Sequence, residues 1–118
     1  MKLSKVRELL DAEILCCEER LENEVKSACG SDMMSDVLAF VKDQSILMTG
    51  LVNPQTVRTA QMMDMKCIVF VRGKRPDDAT VSLAESNGIM VMATDYRMYT
   101  ACGILYANGL YSEGIDKV

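Results

Sequence analysis

Between Lys66 and Arg75 the chain carries four basic residues, Lys66, Arg72, Lys74 and Arg75, and no acidic one. Three of them surround Gly73, just ahead of Pro76. Guanidinium forks beside a glycine turn and a helix start suit an oxyanion, because planar N–H donors match phosphate oxygens and backbone N–H groups point outward there. The same charges also read as a solvated loop that balances nearby acids, and both readings stand at this point. The loop is no Walker loop, since the spacing of two glycines followed by Lys and Ser or Thr is absent. Thr49-Gly50 carries no dinucleotide fingerprint and reads as a strand-to-helix turn.

The other reactive residue types narrow the chemistry. There is no histidine, which excludes Ser–His and Cys–His arrangements and the commonest acid–base group at neutral pH. Asp95, Tyr99 and Cys102 are what remains for catalysis, and no catalytic residue is assigned. The cysteines are Cys16, Cys17, Cys29, Cys67 and Cys102. Their odd number, and the apolar segments around Cys67 and Cys102, fit buried free thiols in a reducing compartment. No metal site and no cofactor are expected. The acidic stretch with Glu8, Asp11, Glu13, Glu18, Glu19, Glu22 and Glu24 reads as a solvated face.

These residues need elements to hold them. Three apolar runs, Ile46-Leu47-Met48, Cys67 to Val71 and Ile89 to Ala93, are continuous rather than alternating, as in strands covered on both faces. The gaps between them leave room for a crossover helix each. Asn53-Pro54 reads as an N-cap and first helical position, with Val57, Ala60 and Met63 on one face. Pro76-Asp77-Asp78 opens the next helix, and Asn87-Gly88 closes it. Asp95 is expected to cap a last helix carrying Tyr99, Cys102 and Tyr106 on one stripe. Upstream, Leu3, Val6, Leu9 and Leu10 predict a short helix, and Ile14-Leu15-Cys16 a strand. Val25 to Ala28 predict a second strand. Met33, Met34, Val37, Leu38 and Val41 then mark a helix capped by Ser31 or Asp32.

The resulting order, α-β-β-α-β-α-β-α-β-α, predicts an α/β fold: a three-layer domain with a mostly parallel central sheet flanked by helices. A length of 118 residues suits a single domain over 1–118, with its core at about 3–110 and a frayed tail at 111–118. In such sheets ligands bind outside the carboxyl ends of the strands. Those ends read Thr49-Gly50-Leu51-Val52-Asn53, then Arg72-Gly73-Lys74-Arg75-Pro76, then Thr94-Asp95-Tyr96-Arg97, and all three are expected to open on the same edge. With a formal net charge of −4, the chain is expected to bind no nucleic acid. No apolar run approaches the ~20 residues of a membrane span. With no secretory signal read at the N-terminus, a cytoplasmic location and no membrane contact are expected. Ten methionines read as core filler or as an adaptable contact surface.

The stretches Glu24 to Met34, Ile46-Leu47-Met48-Thr49-Gly50, Val69 to Pro76, Gly88 to Tyr96 and Tyr99-Thr100 together resemble the DRTGG domain family, related to the N-terminal domain of HPr kinase/phosphorylase. The resemblance spans about residues 3 to 110. It implies a small α/β domain that accompanies CBS modules in regulated pyrophosphatases and fronts some phosphate acetyltransferases. There it builds dimers and relays regulation rather than performing catalysis. After Thr49-Gly50 the family favours a further glycine and an Asp-Arg pair, where this chain has Leu51 and Val52. After the next strand it favours Thr-Gly-Gly, of which Gly73 alone remains. Thr94 and Thr100 match the later motif.

Two functions are therefore expected. The first is a dimeric regulatory or scaffold domain acting on a partner protein in trans, with Tyr106 and Leu110 in an exposed dimer contact. The second is a sensor for a nucleotide or phosphorylated metabolite, with Thr49, Gly50, Arg72, Gly73, Lys74, Arg75, Thr94, Asp95 and Thr100 at the strand edge.

Overall fold

The structure, a computed structural model, describes residues 1–40 and 45–112. In chain order it contains helix α1 (Leu3–Leu10), strand β1 (Glu13–Cys16), a single 3-10 turn (Glu18–Arg20) and strand β2 (Ala28–Gly30). Then follow α2 (Met34–Phe40), β3 (Ile46–Thr49), α3 (Pro54–Met62), β4 (Cys67–Phe70), α4 (Asp78–Ser86), β5 (Met90–Ala93) and α5 (Met98–Ala107). This is the order the apolar periodicity predicts.

The five strands form one sheet in the order β1-β5-β4-β3-β2. Only β1 runs antiparallel; β2 to β5 are parallel to their neighbours. Every residue of β3, β4 and β5 is buried, which is why those runs are apolar without alternation. Helices α2, α3 and α4 pack side by side over one face, and α1 packs with α5 over the other. The α/β three-layer architecture expected from the sequence is therefore the one observed. In α1, the side chains of Leu3, Val6 and Leu10 are fully buried. They point down onto the sheet because positions three and four apart share a helix face.

Caps set the helix starts beside the sheet edge. Asn53 Oδ1 accepts from the Gln55 and Thr56 N–H groups at 2.9 and 3.3 Å, ahead of Pro54. Asp77 Oδ1 accepts from Thr80 N–H at 2.9 Å. Gly88 closes α4 at φ 68°, a conformation that costs glycine little.

Three expectations need correction. The second strand lies at Ala28–Gly30 rather than Val25 to Ala28. Val25 is buried in the core, and its N–H donates to Met1 O at 2.7 Å, so its apolar character serves the core and its backbone pairs with the N-terminus instead of with a strand of the sheet. In α2, Met34 and Val37 are buried but Met33 and Leu38 are exposed; Val41 lies outside the described residues. Ser31 Oγ accepts from Met33 N–H at 3.0 Å, whereas Asp32 turns toward β3. Asp95 caps nothing: α5 begins two residues later than expected, at Met98, with Arg97 at the N-cap position and no side-chain cap bond.

Candidate functional site

The carboxyl ends of β2 to β5 open on one edge because the strands are parallel. Two threonines organise it in the same way. Thr49, buried at the end of β3, donates from Oγ1 to Asp32 Oδ1 at 3.0 Å and accepts from Leu51 N–H at 3.1 Å. Thr94, buried just after β5, donates from Oγ1 to Leu10 O at 2.7 Å and accepts from Tyr96 N–H at 3.3 Å. Each hydroxyl ties its own loop to another element, and neither is free to meet a ligand. The same Asp32 Oδ1 also accepts from Gly50 N–H at 2.7 Å.

The β4 exit is a tight turn. Arg72 and Gly73 have φ values of 63° and 70°, and Lys74 N–H donates to Val71 O at 3.2 Å. Two consecutive left-handed residues closed by this bond are the mark of a type I′ turn. Glycine is at ease there, but an L-residue with a side chain pays roughly 1–2 kcal/mol. The turn is stitched to the β5 exit: Arg72 N–H donates to Tyr96 O at 2.7 Å and Gly73 N–H to Thr94 O at 3.0 Å.

This backbone sends the Arg72 side chain back over β3. Its guanidinium lies against Gly50, where a Cβ would stand 2.9 Å from Nε and 3.0 Å from Cζ. Gly50 therefore serves as the space that Arg72 occupies. Arg75 behaves differently. Its Nε donates to Glu13 Oε1 at 3.2 Å, and its Nη2 lies 3.6 Å from Asp95 Oδ1. No hydrogen bond or ion pair within the described residues engages the side chains of Arg72, Lys74 or Arg97.

Of the residues singled out from the sequence, Thr49, Gly50, Arg72, Gly73, Lys74, Arg75, Thr94 and Asp95 all fall on this edge. Thr100 is exposed in the first turn of α5. Arg97, in the third strand-end loop read from the sequence, follows the carbonyl that receives Arg72 N–H; what sequence reasoning missed is the role of Asp32, read there as a possible helix cap, which joins β2's exit to β3's. A shallow polar cavity of about 240 Å³ lies between the end of α1 and the β5 exit, lined by Leu10, Asp11, Thr94, Asp95 and Tyr96.

A second feature is apolar. On α5, Ala101 and Leu105 are buried, while Tyr99 is 91% and Tyr106 48% exposed. Tyr99, Cys102, Gly103, Tyr106 and Ala107 line an open groove of about 390 Å³. Leu110, expected in an exposed contact, is instead buried. It lines an inner cavity of about 370 Å³ between α5 and β2 together with Met48, Cys102 and Tyr106. The Tyr106 ring leans on Tyr111, with centroids 4.7 Å apart.

The thiols are all free and all shielded. Burial pushes Cys16 up to about 12 and Cys29 up to about 11, and raises Cys17, Cys67 and Cys102 as well. A thiolate nucleophile needs the opposite environment. Among the described residues no group of three or more acidic, cysteine or histidine side chains stands where it could hold a metal ion. No helix among them is long and apolar enough to cross a membrane.

Fold and site together define a three-layer α/β domain with a polar strand edge and an uncovered apolar helix. The model of the DRTGG domain matches residues 5–107, and the chain belongs to that family. Among solved structures, it is similar to the CBS and DRTGG domains of the regulatory region of Clostridium perfringens pyrophosphatase, crystallised with the activator diadenosine tetraphosphate. The TM-score is 0.73 at 18% identity, over 97% of this chain and 52% of that one. This chain thus spans about half of that structure, and the likeness speaks for the fold alone. No curated protein matches it.

Proposed function

We propose that this chain is a non-catalytic, cytoplasmic regulatory domain that works by contact, pairing with a second copy along α5 and acting on a partner protein in trans. The carrying observation is the outer face of α5. From Met98 to Ala107 the helix has no charged residue, although a quarter of the chain is charged (25%). A helix apolar all round belongs under cover, yet Tyr99 and Tyr106 stand out of this one beside the open groove over Gly103. Tyrosine supplies large contact area at low entropic cost, and interfaces are enriched in it. The regulatory region of the pyrophosphatase supports a controlling rather than a catalytic role, as does the family to which the chain belongs.

Light scattering on the purified chain at tens of micromolar tests this. A dimer that Tyr99→Asp with Tyr106→Asp converts to a folded monomer supports the reading. A strict monomer in the wild type overturns it.

A second reading is favoured by Arg72. In that reading the domain senses a nucleotide or phosphorylated metabolite at the strand edge. An arginine held in a left-handed turn and laid on a glycine is arranged in advance for a ligand, and preorganised donors cost less entropy on binding. Contacts of this kind weaken with salt. A thermal-shift titration with nucleotides and phosphorylated metabolites at two salt concentrations tests it.

A further inference from the structure

We infer that the phosphoryl group of a small molecule is bound by Arg72 together with Arg97 and Lys74, on the two loops that leave β4 and β5. The inference rests on the ligand-sensing reading and assigns its anion subsite. Three observations carry it.

The first is preorganisation from both sides. A left-handed backbone at Arg72, φ 63°, and the missing side chain at Gly50 are each needed to lay the guanidinium where it lies. Had the turn a purely structural job, glycine or asparagine at position 72 would serve it without strain.

The second is convergence. The Arg72 N–H donates to Tyr96 O at 2.7 Å, the carbonyl of the peptide that leads into Arg97. The two arginine backbones are therefore neighbours, and Lys74 closes the same turn through its own N–H to Val71 O at 3.2 Å. The sequence places these residues up to 25 positions apart; the sheet puts their backbones side by side on one edge.

The third is selective neutralisation. Arg75, in the same loop, is paired with Glu13 and Asp95. Asp32, the acid beside Gly50, is occupied by Thr49 and Gly50. Asp95 and Asp32 thus have partners of their own, while Arg72, Lys74 and Arg97 have none among the described residues. A phosphoryl oxyanion supplies what they lack: two or three acceptor oxygens that match guanidinium forks.

The test uses inorganic pyrophosphate as probe, titrated calorimetrically into the full chain at low salt. The wild type is expected to bind saturably. Arg72→Ala is expected to weaken binding by about tenfold or more, and Arg97→Ala by several-fold, since charge-assisted pairs carry that much. Arg58→Ala, an exposed cation on α3, controls for net charge and is expected to change nothing. Arg72→Gly settles whether a folding defect is involved: it is expected to bind as poorly as Arg72→Ala while melting no lower than the wild type. Pyrophosphate binding that Arg72→Ala and Arg58→Ala reduce equally overturns this subsite but leaves sensing standing. If neither pyrophosphate nor any nucleotide binds the wild type, the subsite and the sensing reading fall together.

Discussion

The guanidinium of Arg72 lies on the backbone of Gly50, so close that a Cβ at position 50 would stand 2.9 Å from its Nε. Gly50→Ala therefore displaces the arginine rather than the strand, because the obstructing atoms are the far end of a flexible side chain. The expected stability loss is small, below about 1 kcal/mol, while the arginine leaves its resting place. A double-mutant cycle with Arg72→Ala checks this by urea unfolding. Gly50→Ala should cost less in the Arg72→Ala background than in the wild type, as residues in contact are not additive. Additive costs would mean that the two do not touch in solution.

Arg72→Gly bears on stability from the opposite side. A left-handed non-glycine residue carries roughly 1–2 kcal/mol of strain, part of which glycine returns through the greater freedom of the unfolded chain. A net gain of up to about 1 kcal/mol is expected in the urea midpoint. A clear loss would show that the Arg72 side chain holds the fold together.

How far the sequence discloses all this depends on whether a feature is local. The strands β3, β4 and β5 were legible because burial on both faces leaves continuous apolar runs, and Asn53-Pro54 and Pro76-Asp77 announce helix starts by their own chemistry. The edge strand β2 was displaced because Gly30 lies in it against strand propensity. Glycine belongs there for a tertiary reason: its Cβ would meet Cys102 Sγ at 2.8 Å. The basic loop was visible as a charge pattern and Arg97 as part of the β5 exit, whereas the reach of Asp32 to β3 was not, since nothing within its own segment reveals which loop it faces. Leu110 reads as part of an exposed dimer contact until the chain after α5 is seen to turn it inward.

Thr94 links α1 to the β5 exit, and its loss should be felt by the whole sheet edge. Thr94→Val keeps the shape but leaves Leu10 O without its 2.7 Å donor in a buried setting. An unpaired buried carbonyl costs on the order of 1–3 kcal/mol. Thermal unfolding should show a drop of several degrees for a domain of this size. Thr94→Ser, which retains the hydroxyl, should recover most of it. Equal losses in both variants would assign the effect to the lost methyl contact instead.

The shielded thiols predict alkaline instability. Burial holds Cys16 at about 12 and Cys29 at about 11, above the ordinary 9.0 of an exposed thiol. The unfolded chain therefore releases these protons first as pH rises. The folded state keeps its full advantage below about 9, and loses it progressively from there toward the raised values. Urea midpoints between about pH 8 and about pH 10 should fall in the wild type. The slope should be shallower in Cys16→Ala, which has one fewer shielded thiol. An unchanged slope would mean that other groups, lysines and tyrosines, govern the alkaline limb.

The last prediction joins the two readings. Tyr96 and Arg97 lie between the turn that holds Arg72 and the first residue of α5, and two backbone hydrogen bonds, Arg72 N–H to Tyr96 O and Gly73 N–H to Thr94 O, stitch that turn to them. An oxyanion drawn to Arg72 and Arg97 acts on the base of the helix whose outer face is proposed to pair. If the two loops shift on binding, the dimer interface shifts with them, and ligand affinity must change with association by the same factor that association changes with ligand. Sedimentation equilibrium with and without pyrophosphate gives one side of this relation, and calorimetric titration above and below the dimer dissociation constant gives the other. A coupling of about fivefold or more in both directions is expected. Arg72→Ala should abolish it without altering association in the absence of the probe. Identical dimer constants with and without bound pyrophosphate would show that α5 and the anion subsite work independently.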